Sequence, residues 1–363
     1  VQDKQSDTVF TADLIAELQC GGVRVPAGVN GRRCGAGPAE GRAMVIGSHV
    51  VNVPIAAAYA RKSPLALAPA GKHWMLSRDG RDIGVVQIVA EPAFYSLRTA
   101  DGTPFKRIAL QHGRDCLATT VLQRCAHWRK GRRCSFCGTE VSLELNTTVA
   151  RKTPDQLAVV AAAAKAEGLT HVVLTSGCAD PAGCEIVYLA ECALAIKKAA
   201  GLAVQVQIAP PPRLDDLQQL VDAGVDSLGI HVETLHEPTL AAVAPVKAAI
   251  GIGRYVQAWQ RAVALLGAGQ VSSFLIVGLG EPAESVVDAA EVLADLGVYP
   301  FVVPLRPLPG SAMADALPPP APCLAAICKA VARILKRKGL RAADTRAGCV
   351  RCGACSPLQA FEE

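Results

Sequence analysis

Residues 271–305 read VSSFLIVGLGEPAESVVDAAEVLADLGVYPFVVPL. A largely apolar run (271–277) meets a Gly-containing turn. An amphipathic stretch (284–296) then leads into a second apolar run (299–305). Unbroken Val/Ile/Leu runs separated by helical periodicity are what a parallel sheet demands, because covering helices leave its strands no polar face. Toward the N-terminus the same unit recurs. Thr153-Pro-Asp-Gln156 is a capping box with Pro at the first helical position, opening a helix that Gly168 ends. Strands are predicted over 171–175, 204–208 and 227–232, and helices over 185–200, 214–223 and 254–266. A strand over 107–111 or 116–122 starts the series. The total is about six βα units, short of the eight that close a barrel.

The rhythm changes near residue 105. Upstream, a short helical pattern (11–18) precedes strand pairs punctuated by turns. Residues 43–46 and 49–53 flank Gly47-Ser48, and Asp79-Gly80 and Asp101-Gly102 mark further turns. The predicted organisation is a small, mostly β accessory region (1–105), a partial (β/α)6 TIM-like α/β barrel (106–315), and a basic helix with a Cys-rich tail (316–363).

Of the 363 residues, 51% are apolar and 4% aromatic, so core packing falls to Ala, Val, Leu and Ile. So few aromatics argue against base stacking with nucleic acid. The net charge of +5 comes from 37 basic and 32 acidic residues, too balanced for a general polyanion binder. There is no signal-peptide pattern, and no apolar run approaches the ~20 residues that span a bilayer. The expectation is a cytoplasmic protein without membrane or nucleic-acid partners.

Fourteen cysteines stand out. Six fall in two tight groups, Cys125/Cys134/Cys137 and Cys349/Cys352/Cys355. Cys-x-x-Cys spacing favours metal or redox chemistry over a disulfide framework. Residues 125–137 read CAHWRKGRRCSFC. Three thiolates on a loop after a strand can hold three corners of a [4Fe–4S] cubane, leaving one iron open to a small ligand. Arg129, Lys130, Arg132 and Arg133 would offset the cluster's negative charge. The competing reading is a Cys₃His zinc site that includes His127. Position weighs against it, since the loop falls at the C-terminal mouth of a βα array, where such folds put chemistry.

Cys134-Ser-Phe136-Cys137 resembles the end of the radical S-adenosylmethionine (SAM) signature, Cys-x-aromatic-Cys. The family commonly has three residues between the first two cysteines; here there are eight. The resemblance covers about residues 106–310, and further motifs follow in order. Thr175-Ser176-Gly177 matches the segment that holds the SAM amino group, with the familiar Gly-Gly-Glu replaced. His231-Val-Glu233-Thr234 resembles the biotin-synthase-like Asn-Leu-Asp-Thr, whose acidic residue faces the SAM ribose. Residues 271–281 match the fifth-strand segment that packs on adenine, with Val277 and Gly278 at its turn. Pro304-Leu-Arg-Pro-Leu-Pro-Gly310 resembles the sixth-strand end of biotin synthase relatives. The whole chain, including Gly35-Ala-Gly-Pro38 and the Cys tail, resembles a little-characterised biotin-synthase-like family found near nitrilase-type genes. The resemblance implies a cluster-bound SAM cleaved to methionine and a 5′-deoxyadenosyl radical, and a one-electron donor such as flavodoxin or ferredoxin. It also implies a small-molecule substrate and SAM contacts from Phe136. The low aromatic count fits, since small apolar walls offer a radical few alternative hydrogens.

Cys349-Val-Arg-Cys352-Gly-Ala-Cys355 follows the bacterial ferredoxin pattern, but Gln359 stands where its fourth Cys belongs. Three readings compete: an auxiliary [4Fe–4S] cluster with a remote fourth ligand, a cluster whose open iron binds substrate, and zinc or free thiols. Cys116 is the first candidate for a remote ligand. Arg254 can pair with the SAM carboxylate or an acidic substrate, or be a solvated helix-start Arg. Cys178, Cys184, Cys192, Cys323, Cys328, Cys20 and Cys34 read as packing residues, Trp128 and Trp259 as core or interface. His112 and His127 read as ordinary polar contacts. The expectation is a radical SAM enzyme with a second iron–sulfur cluster that positions substrate or carries electrons. Its rivals are a sulfur-inserting synthase of the biotin or lipoyl type and a non-catalytic iron–sulfur or zinc protein. An aldolase-like barrel lacks a Schiff-base Lys on a strand end.

Overall fold

The structure, a computed structural model, describes residues 10–32, 39–129, 131–179 and 183–363. Cys34, Gly35-Ala-Gly-Pro38 and Lys130 lie outside the described residues.

Twelve strands form two sheets among the described residues. The first is antiparallel, in the order β2-β1-β5-β4-β3, from β1 (Gly41–Ile46), β2 (His49–Pro54), β3 (Leu65–Ala70), β4 (His73–Arg78) and β5 (Arg81–Ile88). Its turns follow from local chemistry. Ile46 pairs with His49 across Gly47-Ser48. Arg78 pairs with Arg81 across Asp79 (φ 48°) and Gly80 (φ 79°), the two positive dihedrals a tight type I′ hairpin turn needs.

The second sheet runs in chain order from β6 (Leu110–His112) through β7 (Cys116–Leu122), β8 (His171–Ser176), β9 (Ala203–Ile208), β10 (Ser227–Ile230) and β11 (Val271–Val277) to β12 (Val298–Pro304). Only the β6–β7 pairing is antiparallel. The sheet curls as a half-barrel. Leu117, Val121, Val172, Leu174, Val204, Val206 and Leu228 face the surrounding helices, while Cys116, Ala118 and Val173 face inward. The helix Pro154–Ala166 carries the reciprocal capping box of Thr153 and Gln156. Gly201 ends Glu185–Ala200 in the left-handed conformation.

Three expectations need adjusting. The segment 214–223 splits into a 3₁₀ turn (Leu214–Asp216) and a short helix (Leu217–Asp222). Two helices, Glu237–Val243 and Pro245–Ile250, occupy a stretch for which no element was predicted. And β10 stops at Ile230 rather than 232, because the Ser273 hydroxyl takes the Val232 N–H (3.1 Å) that a ladder would have used. The chain returns at Glu233, which bridges to Leu275 with φ 76°, a strained value for a residue with a side chain.

The first helix, Ala12–Gly21, serves two cores: Leu14, Ile15 and Leu18 pack on the antiparallel sheet, Ala16 and Cys20 in the main core. The long helix Ala321–Lys338 lies against it. After that helix the tail passes beneath the N-terminal ends of the parallel strands. Thr345 Oγ1 donates to the Gly269 carbonyl (3.0 Å), Gln270 Nε2 to that of Asp344 (2.9 Å), and Ser227 Oγ to that of Ala347 (2.9 Å). No helix among the described residues is long and apolar enough to cross a membrane.

Candidate functional site

At the C-terminal mouth, the chain leaves β7 and turns at once into the Cys125 loop. The Cys125 N–H donates to the buried Glu140 carboxylate (2.8 Å), and Gly177, at the end of β8, donates to the Leu122 carbonyl (2.8 Å). Gly177 abuts the loop so closely that a Cβ there would collide with the Arg124 carbonyl. The loop then crosses the mouth to the far edge. Ser135 N–H donates to the Val243 carbonyl (2.7 Å), and its own carbonyl accepts from Met313 N–H (3.1 Å). Arg133 reaches the Gly310 carbonyl (3.1 Å) and lies over the Trp128 ring (4.5 Å). The loop is thereby pinned to the segment after β12.

Cys125, Cys134 and Cys137 are half-buried and near enough to feel one another's charge. Burial pushes Cys137 up to about 12 and raises Cys134. Cys125 goes the other way, to about 5, because the Cys178 thiol hydrogen-bonds to its sulfur. Cys178, read from the sequence as packing, is thus a contact of the loop; the Ala126 N–H also donates to its carbonyl (2.9 Å). Phe136 packs on the main core. Thr175 donates to Thr120 (2.8 Å) across the inside of the sheet, and Ser176 to the Gly177 carbonyl (2.6 Å). Val277 and Gly278 close β11, Gly278 in a left-handed turn (φ 104°) against Pro319 and Leu305.

The strand break after β10 turns Glu233 toward Lys247. The ammonium donates to Glu233 Oε1 (2.6 Å) and the His231 carbonyl (2.6 Å), leaving Glu233 Oε2 buried without a partner. Burial works against the charge on Lys247, yet Glu233, Tyr255 and Cys134 around it raise its pKa overall. This cation beside the thiols sits on the helix Pro245–Ile250, whose existence the sequence reading missed; a Pro at its first turn was the available signal. Arg254 is engaged elsewhere, donating to the carbonyls of Pro211 (2.7 Å) and Pro212 (2.5 Å) beyond β9.

The second cysteine group lies at the opposite end of the sheet. Cys116 opens β7 at the N-terminal mouth, and its thiol hydrogen-bonds to the Cys352 sulfur, drawing Cys352 down. Gln207 Nε2 donates to Cys349 Sγ (3.1 Å), and Gln205 accepts from the Cys349 N–H (3.2 Å). Cys355 is approached by Asn52 Nδ2 (3.8 Å) and lies near Arg306 and Arg32. Burial raises Cys116, Cys349 and Cys355. Among the described residues, no three Cys, His, Asp or Glu side chains form a group that could hold a single metal ion, and all described cysteines are free.

The donor chemistry at the upper mouth suits an iron–sulfur cluster with SAM: three thiols on one loop, which Gly177 holds closely against the end of β8, and an unpartnered buried carboxylate oxygen.

The model of the Radical SAM superfamily matches residues 131–293. Bacteriochlorophyllide c C-7(1)-hydroxylase of Chlorobaculum limnaeum is 23% identical over 281 residues, covering 70% of each chain. Among solved structures, the chain is similar to methylornithine synthase (16% identity, TM-score 0.49, 74% of this chain and 78% of that one). It is also similar to a radical SAM methyltransferase from Sphaerobacter thermophilus (17% identity, TM-score 0.48, 82% of each).

Proposed function

This chain is an enzyme of the radical SAM superfamily, and on that premise we propose that it abstracts hydrogen from a small-molecule substrate held in the half-barrel between two iron–sulfur sites. In this reading Cys125, Cys134 and Cys137 hold the SAM-binding [4Fe–4S] cluster. Cys349, Cys352 and Cys355, with Cys116, hold a second. The cluster and SAM supply a 5′-deoxyadenosyl radical on one-electron reduction.

The chain's own residues do the rest. Lys247 offsets thiolate charge beside Cys134 and braces Glu233, whose free Oε2 can accept from a ribose hydroxyl. Thr175, Ser176 and Gly177 border the loop on the side assigned to the SAM amino group, and Val277-Gly278 the side assigned to adenine. Arg254, engaged by Pro211 and Pro212, would shape the mouth through that contact. We read the six parallel strands as a partial (β/α)6 barrel (106–315), with 1–105 an accessory region and 316–363 a tail. Cys116 gives the tail a fourth thiol from a rigid strand, so a role in positioning substrate or carrying electrons is favoured over sulfur donation.

The observation that carries the proposal is the Cys125 loop, strapped across the C-terminal mouth with Gly177 beneath it. Anaerobic reconstitution followed by SAM and dithionite tests it. About eight irons per chain and release of 5′-deoxyadenosine are expected. Cys134→Ala should abolish cleavage, and Cys352→Ala should spare part of it with about four irons left. About one zinc per chain and no cleavage would overturn the proposal.

A further inference from the structure

The inner face of the half-barrel is unusually uniform in its chemistry. Thr120, Thr175, Gln207, His231 and Phe274 face inward and keep a minor part of their surface exposed, whereas Val121, Leu174, Val206, Ile230 and Leu275 beside them are buried. Solvent therefore reaches the inner surface from the mouth, while the tail closes the floor at Cys349. None of the seven strands contains an Asp, Glu, Lys or Arg.

Among the described residues, charged groups near this surface have partners of their own. Glu233 and Lys247 form their own pair at 2.6 Å, and Arg306 donates to the Asn52 carbonyl (2.7 Å) near Cys355.

His231 is the directional group. Its ring stacks on Phe274 (4.0 Å between centroids), and Nδ1 accepts the Phe274 N–H (3.2 Å). The proton of the neutral ring must then sit on Nε2, which is buried and unpartnered. Burial, then repulsion from Lys247, lowers its pKa to about 3, so the ring stays neutral. Gly229 makes room for this edge: a Cβ there would stand 2.6 Å from His231 Nε2 and 2.9 Å from Gln207 Cγ. Gln205 Nε2 and Ser272 Oγ are further buried polar atoms without partners. Buried unpaired polar groups call for a water or a ligand.

We propose that this lumen binds a neutral, acceptor-bearing small molecule of the amide or alcohol type, not a carboxylate or an amine, with His231 Nε2–H as the specificity-determining donor. The proposal rests on the radical SAM reading of the mouth above it. An ion entering would lose its water and find no counter-charge on the strands, whereas a neutral acceptor would satisfy the waiting donor.

The test uses the anaerobically reconstituted enzyme with SAM and three near-isosteric probes, isobutyramide, isobutyrate and isobutylammonium, followed by ligand-observed NMR. The amide should bind at least about tenfold more tightly than either ion. His231→Phe should lose the amide while iron content and SAM affinity hold, and His231→Gln, whose side-chain N–H reaches the position of Nε2, should recover it. Either ion binding as tightly as the amide, or no amide binding, overturns the proposal on the unmodified enzyme alone. Unchanged amide affinity in His231→Phe overturns the role of His231. Failure of SAM cleavage with the amide preference intact would instead remove the radical reading and leave the neutral lumen standing.

Discussion

Lys247 and Glu233 meet at 2.6 Å with little water around either, so each is the other's main solvation. Removing one partner of a buried pair strands the other charge, which costs about 3–5 kcal/mol. Lys247→Met should therefore lower the unfolding free energy of the cluster-free protein, read from denaturant titration, by an amount in that range. Adding Glu233→Gln removes the stranded carboxylate and should return most of the loss. Equal losses in the single and double variants would refute the pairing. The contrast with Cys134 shows what sequence can reveal at this scale. A Cys-x-x-Cys pair announces its chemistry by local spacing. Lys247 lies fourteen positions beyond Glu233 in a helix of six residues, and only the strand break at Val232 turns the two together. Cys178 was hidden for the same reason: its meaning is its contact with Cys125, a partner from another strand end.

Elements with complete local signals were legible. The capping box at Thr153, Gly201 past its helix and the apolar run of β11 all follow from neighbours within a few residues. The course of the tail was not, because its partners are the strand starts Gln205, Ser227 and Gln270, far away in sequence. Cys116, the first candidate for a remote ligand and the cysteine just before the Cys125 loop in the chain, lies at the mouth opposite that loop, beside Cys352. One glycine controls this docking. Gly348 has φ 98°, and a Cβ on it would collide with the Gln205 amide that receives the Cys349 N–H. Gly348→Ala should thus dislodge the tail and lower reconstituted iron from about eight to about four per chain, with SAM cleavage retained. Full iron loading in that variant would show that the tail does not need this fit.

At the scale of the molecule, Asn52 joins three parts of the chain. Its N–H donates to the Ala354 carbonyl (2.6 Å), its side-chain amide approaches Cys355 (3.8 Å), and its carbonyl accepts from Arg306 beyond β12. Gln19, on the first helix, also donates to Ala354 (3.0 Å), and Ser356 Oγ to the Val302 carbonyl. The tail is therefore a wedge between the antiparallel sheet and the half-barrel. It has little regular structure of its own to hold it there: the helices Cys349–Cys352 and Gln359–Glu362 are single turns. If its thiols share a cluster with Cys116, that cluster is a cross-link from tail to strand, and metal binding becomes folding free energy. Removing it with an iron chelator under reducing conditions should free the tail while the half-barrel, built on its own apolar core, persists. Trypsin should then cut after Arg346 or Arg351 several-fold faster than in the reconstituted enzyme, and Cys116→Ala should give the same rapid cleavage without chelator. Equal cutting rates with and without iron would mean that hydrogen bonds and packing alone secure the wedge, and that the second cysteine group contributes nothing to how the parts are joined.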